Sequence, residues 1–68
     1  MTDTLGDALP REMVRVRDEI LPAYDSVLFG VIAAAMMRRD LDRAAKAMAT
    51  GDVVEMLRAY QALKGYGL

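Results

Sequence analysis

The side chains that could do chemistry in this chain are mainly carboxylates, because the sequence contains neither histidine nor cysteine. Asp40 and Asp42 form a D-x-D pair, and Asp18 and Glu19 are neighbours. Residues two apart on a helix point about 200° apart around its axis, so Asp40 and Asp42 cannot easily chelate one metal ion. Adjacent helical carboxylates also need a pocket before they can act as an acid and a base. We therefore interpret both pairs as solvated surface.

Nucleophilic catalysis lacks its usual parts in this sequence. Ser26 is the only serine, and without a histidine it has no activating base. The absence of cysteine removes thiolate chemistry, and no glycine-rich phosphate loop is present. The sequence thus predicts a protein that is not an enzyme and that uses no cofactor, metal ion or small-molecule substrate.

The arginines offer a second kind of chemistry, which is binding to phosphate groups. Arg38, Arg39 and Arg43 fall within one predicted helix, and Arg39 and Arg43, four residues apart, share a side of it. The net charge of the chain is nevertheless −1, with 9 basic and 10 acidic residues interleaved along it. DNA binding or regulation is therefore the alternative prediction, and it depends on a dimer that brings two copies of these arginines onto one surface.

The residues between Asp25 and Arg38 carry no charge. A helix of this length spans about 18 Å, which is short of the ~30 Å hydrocarbon core of a membrane. A helix that is apolar on all sides needs cover on all sides, which two other short helices can hardly give. We predict that this run forms a subunit interface, where small residues let two backbones approach closely. The predicted interface residues are Val27, Leu28, Phe29, Gly30, Val31, Ile32, Ala34, Met36 and Met37.

Three helices, over residues 10–21, 27–49 and 52–64, are predicted from apolar residues spaced three and four apart. Pro22 either ends or kinks the first helix, and the sequence leaves both alternatives open. No segment alternates as a strand would, so the predicted fold is all-α, with one small domain over residues 1–68 that frays at 1–9 and 65–68. The predicted core-facing residues are Met13, Val16, Ile20, Tyr24, Ala34, Met37, Leu41, Ala44, Met48, Val53, Met56, Leu57, Tyr60 and Leu63.

The most specific local signal is the turn between the second and third helices. Gly51 suits the left-handed position that ends a helix, and Asp52 can cap the next helix, with Glu55 three residues later. This sequence predicts an antiparallel helical hairpin. Gly65 repeats the glycine stop signal at the end of the third helix.

The turn at Gly51-Asp52, with Tyr60 nine residues after the glycine and Ala62-Leu63 beyond it, resembles the turn between the two helices of a tetratricopeptide repeat. Such repeats recur about every 34 residues, and no second copy fits here, so the resemblance implies a similar hairpin and not a repeat array. The ending GDVVEMLRAYQALK also resembles that of short uncharacterised bacterial proteins, some of them prophage-borne. This second resemblance implies no activity and no site residues.

Self-association is the function that size and composition favour. A chain of this size buries only about 60% of the surface that it exposes when unfolded, and small helical chains often oligomerise to compensate. We predict a cytoplasmic bacterial protein that assembles as a helical-bundle homodimer and acts in protein–protein interaction, with itself or another protein as partner. Nucleic-acid and membrane partners are not expected. Ile32→Asp and Ala34→Glu are each expected to dissociate and unfold this dimer.

Overall fold

The computed structural model of the chain describes residues 4–26 and 30–67. Helix α1 spans Leu5–Arg15 and continues through a single π-helical turn, Val16–Ile20, into α2, Leu21–Asp25. Helix α3 spans Val31–Thr50 and α4 spans Val53–Lys64. Counting α1, the π turn and α2 as one continuous helical arm, the described part of the chain holds three helices and no strand, which confirms the all-α prediction.

The first helix begins five residues earlier than the predicted start at Pro10. Thr4 caps it, because its Oγ1 accepts the Asp7 N–H at 3.2 Å and its hydroxyl donates to the Asp7 carboxylate at 2.9 Å. Residues 5–9, expected to fray, are therefore helical, and Leu9 is fully buried. Pro10 lies inside the helix and does not open it.

Pro22 neither ends the arm nor breaks it, because the chain widens into the π turn just before the proline. The Leu21 N–H reaches back five residues to the Val16 carbonyl, so the helix continues past a residue that has no N–H of its own. The arm ends at Ser26, whose Oγ donates to the Ala23 carbonyl at 2.9 Å. Asp25 is therefore the last residue of this arm, and Ser26 is its C-cap.

The turn between α3 and α4 confirms the predicted hairpin chemistry. Gly51 is left-handed, with φ +69°. Its N–H donates to Met48 at 3.3 Å and the Asp52 N–H donates to Ala47 at 3.1 Å, which together form a Schellman motif. The Asp52 carboxylate then accepts the Glu55 N–H at 3.1 Å and caps α4.

The core is small and rich in alanine, and the molecule is flattened, with extents of 38 × 25 × 15 Å. Val53 and Leu57, predicted to face the core, are 67% and 47% exposed, and Met48 is 37% exposed. Asp40, assigned from sequence to the polar side of its helix, is instead buried at 5% exposure. The buried apolar residues are Leu9, Val16, Ile20, Ala34, Met37, Ala44, Ala47, Ala59 and Leu63.

Candidate interaction surface

The N-terminal turns of α3 leave three large apolar side chains in solvent. Ile32 is 76% exposed, Val31 62% and Met36 44%. We call these three residues the α3 apolar end. Soluble monomers seldom leave a contiguous apolar patch of more than a few hundred Å² uncovered, so this group is a candidate for contact with another molecule.

Three other residues of the predicted interface lie inside the chain's own fold. Ala34 and Met37 belong to the core, at 0% and 1% exposure, and Gly30 is buried as well. A Cβ added at Gly30 would stand 2.0 Å from the Tyr24 carbonyl oxygen, so the small residue permits a close approach within one chain. These three residues are covered within a single chain, and their part in contact between copies stays a prediction. Val27, Leu28 and Phe29 lie outside the described residues.

The predicted basic surface consists of arginines that each stand beside a carboxylate. Arg38 forms an ion pair with Asp25. Arg43 Nη2 lies 3.8 Å from Glu55 Oε2, and Arg39 Nε lies 3.4 Å from Asp40 Oδ1. These pairings reduce the positive field that a phosphate backbone would meet.

Asp40 marks a polar cluster that the sequence analysis missed. The Tyr66 hydroxyl donates to Asp40 Oδ2 at 2.6 Å, a charge-assisted hydrogen bond that satisfies the buried carboxylate. Burial and this hydrogen bond raise the pKa of Tyr66 to about 12. The two residues lie 26 positions apart, so only the folded chain brings them together.

Residues 65–67, which we call the C-terminal strap, are held by two further side chains. Arg15 Nη2 donates to the carbonyls of Leu63 at 3.1 Å and Tyr66 at 2.9 Å, and the Tyr24 hydroxyl donates to Gly67 at 2.9 Å. Fraying was expected here, and a glycine stop at Gly65. α4 does end at Gly65, but the φ of Gly65 is −72°, so this glycine is right-handed, unlike Gly51.

Asp18 and Asp42, two other carboxylates considered from the sequence, are paired on the surface. Arg17 donates to Asp18 at 2.8 Å and lowers the pKa of that carboxyl. Asp42 lies 3.0 Å from Lys46 Nζ, while Asp40 points to Tyr66. The D-x-D residues therefore have different partners. Within residues 4–26 and 30–67, no group of three or more acidic side chains is placed to hold a metal ion.

A shallow groove of about 530 Å³ separates α1 from α4. Leu5, Ala8, Leu57 and Tyr60 form its apolar walls, and Glu12 and Arg15 pair with each other at 2.8 Å on its rim. Leu57 also belongs to a second exposed apolar group, the α4 apolar face, which consists of Val53, Val54 and Leu57. The ion pair of Glu55 with Arg58, at 3.0 Å, interrupts this face.

Comparison with family models, with curated proteins and with solved structures finds no match to this chain. Over the residues that the structure describes, no helix combines the length and the apolar character needed to cross a membrane. Function must therefore be inferred from the surfaces themselves.

Proposed function

We propose that the protein is a small helical assembly module that acts as a homodimer through the α3 apolar end. The observation that carries the proposal is the exposure of Ile32, Val31 and Met36 at the start of one helix. In sequence, these residues continue the uncharged run that begins after Asp25, which makes the start of α3 the least charged segment of the chain. Covering it with a second copy removes an apolar patch and enlarges a small core in one step.

The α4 apolar face supports this role less well, although its valines are equally exposed. Glu55 and Arg58 lie among its residues and form an ion pair that docking would have to desolvate.

The net charge of −1 favours self-association in general, because two copies repel each other little at long range. The proposal includes no catalysis. It also ranks DNA binding second, because Arg38, Arg39 and Arg43 already have acidic partners.

The test is the solution mass of the chain by light scattering at micromolar concentration, where we expect two copies. Because Ile32 is 76% exposed in the single chain, Ile32→Asp is expected to dissociate the dimer without the unfolding that the sequence alone suggested. The monomer should remain helical by circular dichroism, since an aspartate in the first turn of a helix does not itself disfavour the helix. A single-chain mass for the unmodified protein would overturn the proposal.

Val54→Asp is the matched control for Ile32→Asp. Ile32 and Val54 are each the second residue of their helix, and they are 76% and 59% exposed. The two substitutions therefore place the same charge at the same helical position on two different surfaces. If Val54→Asp dissociates the protein and Ile32→Asp does not, the interface lies on α4. Ala34→Glu is unsuitable here, since Ala34 is buried in the chain's own core.

A further inference from the structure

The outer side of α3 changes character along its length. Ile32, Met36, Arg39 and Arg43 follow one another at spacings of four, three and four residues, which places them in one stripe along the helix. The first two are exposed apolar side chains, and the last two carry guanidinium groups that are more than half exposed. The stripe is thus apolar at its start and cationic at its end.

Each of the two arginines stands beside a carboxylate of its own chain. Arg39 Nε and Nη2 both lie 3.4 Å from Oδ1 of Asp40, and the Tyr66 hydroxyl fixes that carboxylate from the other side. Arg43 lies 3.8 Å from Glu55 on α4. An interface that covered the whole stripe would therefore bury these charges or pull them away from their partners, and both are costly.

This asymmetry along the stripe distinguishes the two ways in which a two-fold axis can pair two copies of α3. A parallel pair sets each residue opposite its own copy, so Arg39 meets Arg39 and Arg43 meets Arg43, which is repulsive. An antiparallel pair with the axis between Ile32 and Met36 sets Ile32 of one copy against Met36 of the other. The arginines of one copy then lie on one side of the two-fold axis, and those of the other copy lie on the opposite side.

We propose, resting on the proposed function, that the partner seated on the α3 apolar end is a second copy of this chain in antiparallel orientation. Its two-fold axis passes between Ile32 and Met36. In this register apolar side chains face apolar side chains, and the arginines of the two copies lie on opposite sides of the axis instead of facing each other. The contact is short and excludes the α3–α4 hairpin turn.

Cysteine scanning tests the orientation, because the unmodified chain contains no cysteine. In the antiparallel pair, Cys variants at Ile32 and Met36 face each other. With a helical rise of 1.5 Å per residue, the two copies of position 39 lie about 15 Å apart along the helix axes. The two copies of position 43 lie about 27 Å apart. A disulfide needs Cα atoms within about 7 Å. Each variant is oxidised and its covalent dimer quantified, alongside its mass by light scattering before oxidation.

An equimolar mixture of Ile32→Cys and Met36→Cys is expected to cross-link at least roughly tenfold more than Arg39→Cys or Arg43→Cys alone. Gln61→Cys, exposed on α4, is the control for random collision. If Arg39→Cys and Arg43→Cys cross-link as well as the mixture, the pair is parallel and this orientation is wrong, although the homodimer stands. A monomeric mass throughout overturns the homodimer itself. A two-chain mass without cross-linking at any of the four positions moves the interface away from α3.

Discussion

The two ends of α3 are built in different ways. At its C-terminal end, Gly51 and Asp52 satisfy the backbone with partners no more than five residues away. At its N-terminal end, Gly30 presses against the backbone of Tyr24 across the end of the helical arm, and no side chain caps α3. Asp40, halfway along, depends on Tyr66. One end is thus fixed by local sequence, and the rest of the helix by tertiary contacts.

The hydrogen bonds between residues far apart in sequence are concentrated at the C-terminal strap and not at the hairpin turn. Arg15, Tyr24 and Asp40 each hold the C-terminal strap, and the residues of each bonded pair are between 26 and 51 positions apart. These contacts lie toward the half of α3 that also carries the α3 apolar end. The hairpin turn needs none of them, so the two ends of α3 should respond differently to substitution.

The largest effect is expected at the N-terminal end, from Gly30→Ala. The new Cβ would stand 2.0 Å from the Tyr24 carbonyl oxygen, so one of the two backbones must move. We expect the free energy of unfolding to fall by about 3 kcal/mol in urea denaturation. Gly67→Ala, where nothing lies within 4 Å of the added Cβ, is the control and should change little. Equal stability of the two variants would show that Gly30 is not tightly packed.

The next effect concerns the middle of α3. Tyr66→Phe removes the hydroxyl that binds Asp40 and leaves a buried carboxylate with only the longer contacts to Arg39. Leaving such a group poorly satisfied should lower the free energy of unfolding by about 2 kcal/mol. Tyr60→Phe is the matched control, since no hydrogen bond of the Tyr60 hydroxyl is found among the described residues. A similar loss in both variants would count against a specific role for the Tyr66 hydroxyl.

High pH should weaken the same contact without any substitution. The folded chain holds the Tyr66 proton to a pKa of about 12, whereas an unfolded tyrosine loses its proton near pH 10. Above about pH 10 the unfolded chain therefore binds fewer protons, so the free energy of unfolding falls as the pH rises. The stability advantage of the unmodified chain over Tyr66→Phe should be full at pH 9 and reduced at pH 11. A constant advantage would contradict the raised pKa.

The smallest effect is expected at the hairpin turn. Gly51→Ala places a side chain in the left-handed region, which costs about 1 kcal/mol, and no neighbouring atom adds a clash. Gly6→Ala, inside α1, should instead stabilise the fold by roughly 0.5 kcal/mol, because alanine favours the helix. Thermal melting of both variants shows whether each substitution raises or lowers the melting temperature. Unchanged or raised stability of Gly51→Ala would contradict a left-handed backbone at this position.

The parts predictable from sequence are those whose partners are close in sequence. Gly51, Asp52 and Glu55 predict their turn because its hydrogen bonds join neighbours. The burial of Asp40 and the order of the C-terminal strap could not be read in this way, because each depends on a residue far along the chain. One overlooked local signal was Thr4 with Asp7, which caps α1.

The candidate surface was only partly predictable for a related reason. The uncharged run pointed to the start of α3, but hydrophobicity alone does not say which of its members face inward. Gly30, Ala34 and Met37 meet the chain's own arm and core, while Ile32 points to solvent. The exposure of Val53 and Leu57 has the same origin, since α4 turns only its Ala59 and Leu63 side fully into the core.

The C-terminal strap has a consequence for biosynthesis. Tyr66 supplies the hydroxyl that satisfies Asp40, and the carbonyls that Arg15 binds belong to Leu63 and Tyr66. During translation, α1 and α3 emerge from the ribosome before any of these partners exist, so the Asp40 carboxylate stays hydrated until Tyr66 is available. These contacts can form only once residues through Gly67 have cleared the exit tunnel. Until then, chaperones that bind exposed apolar segments have access to Met37 and its neighbours.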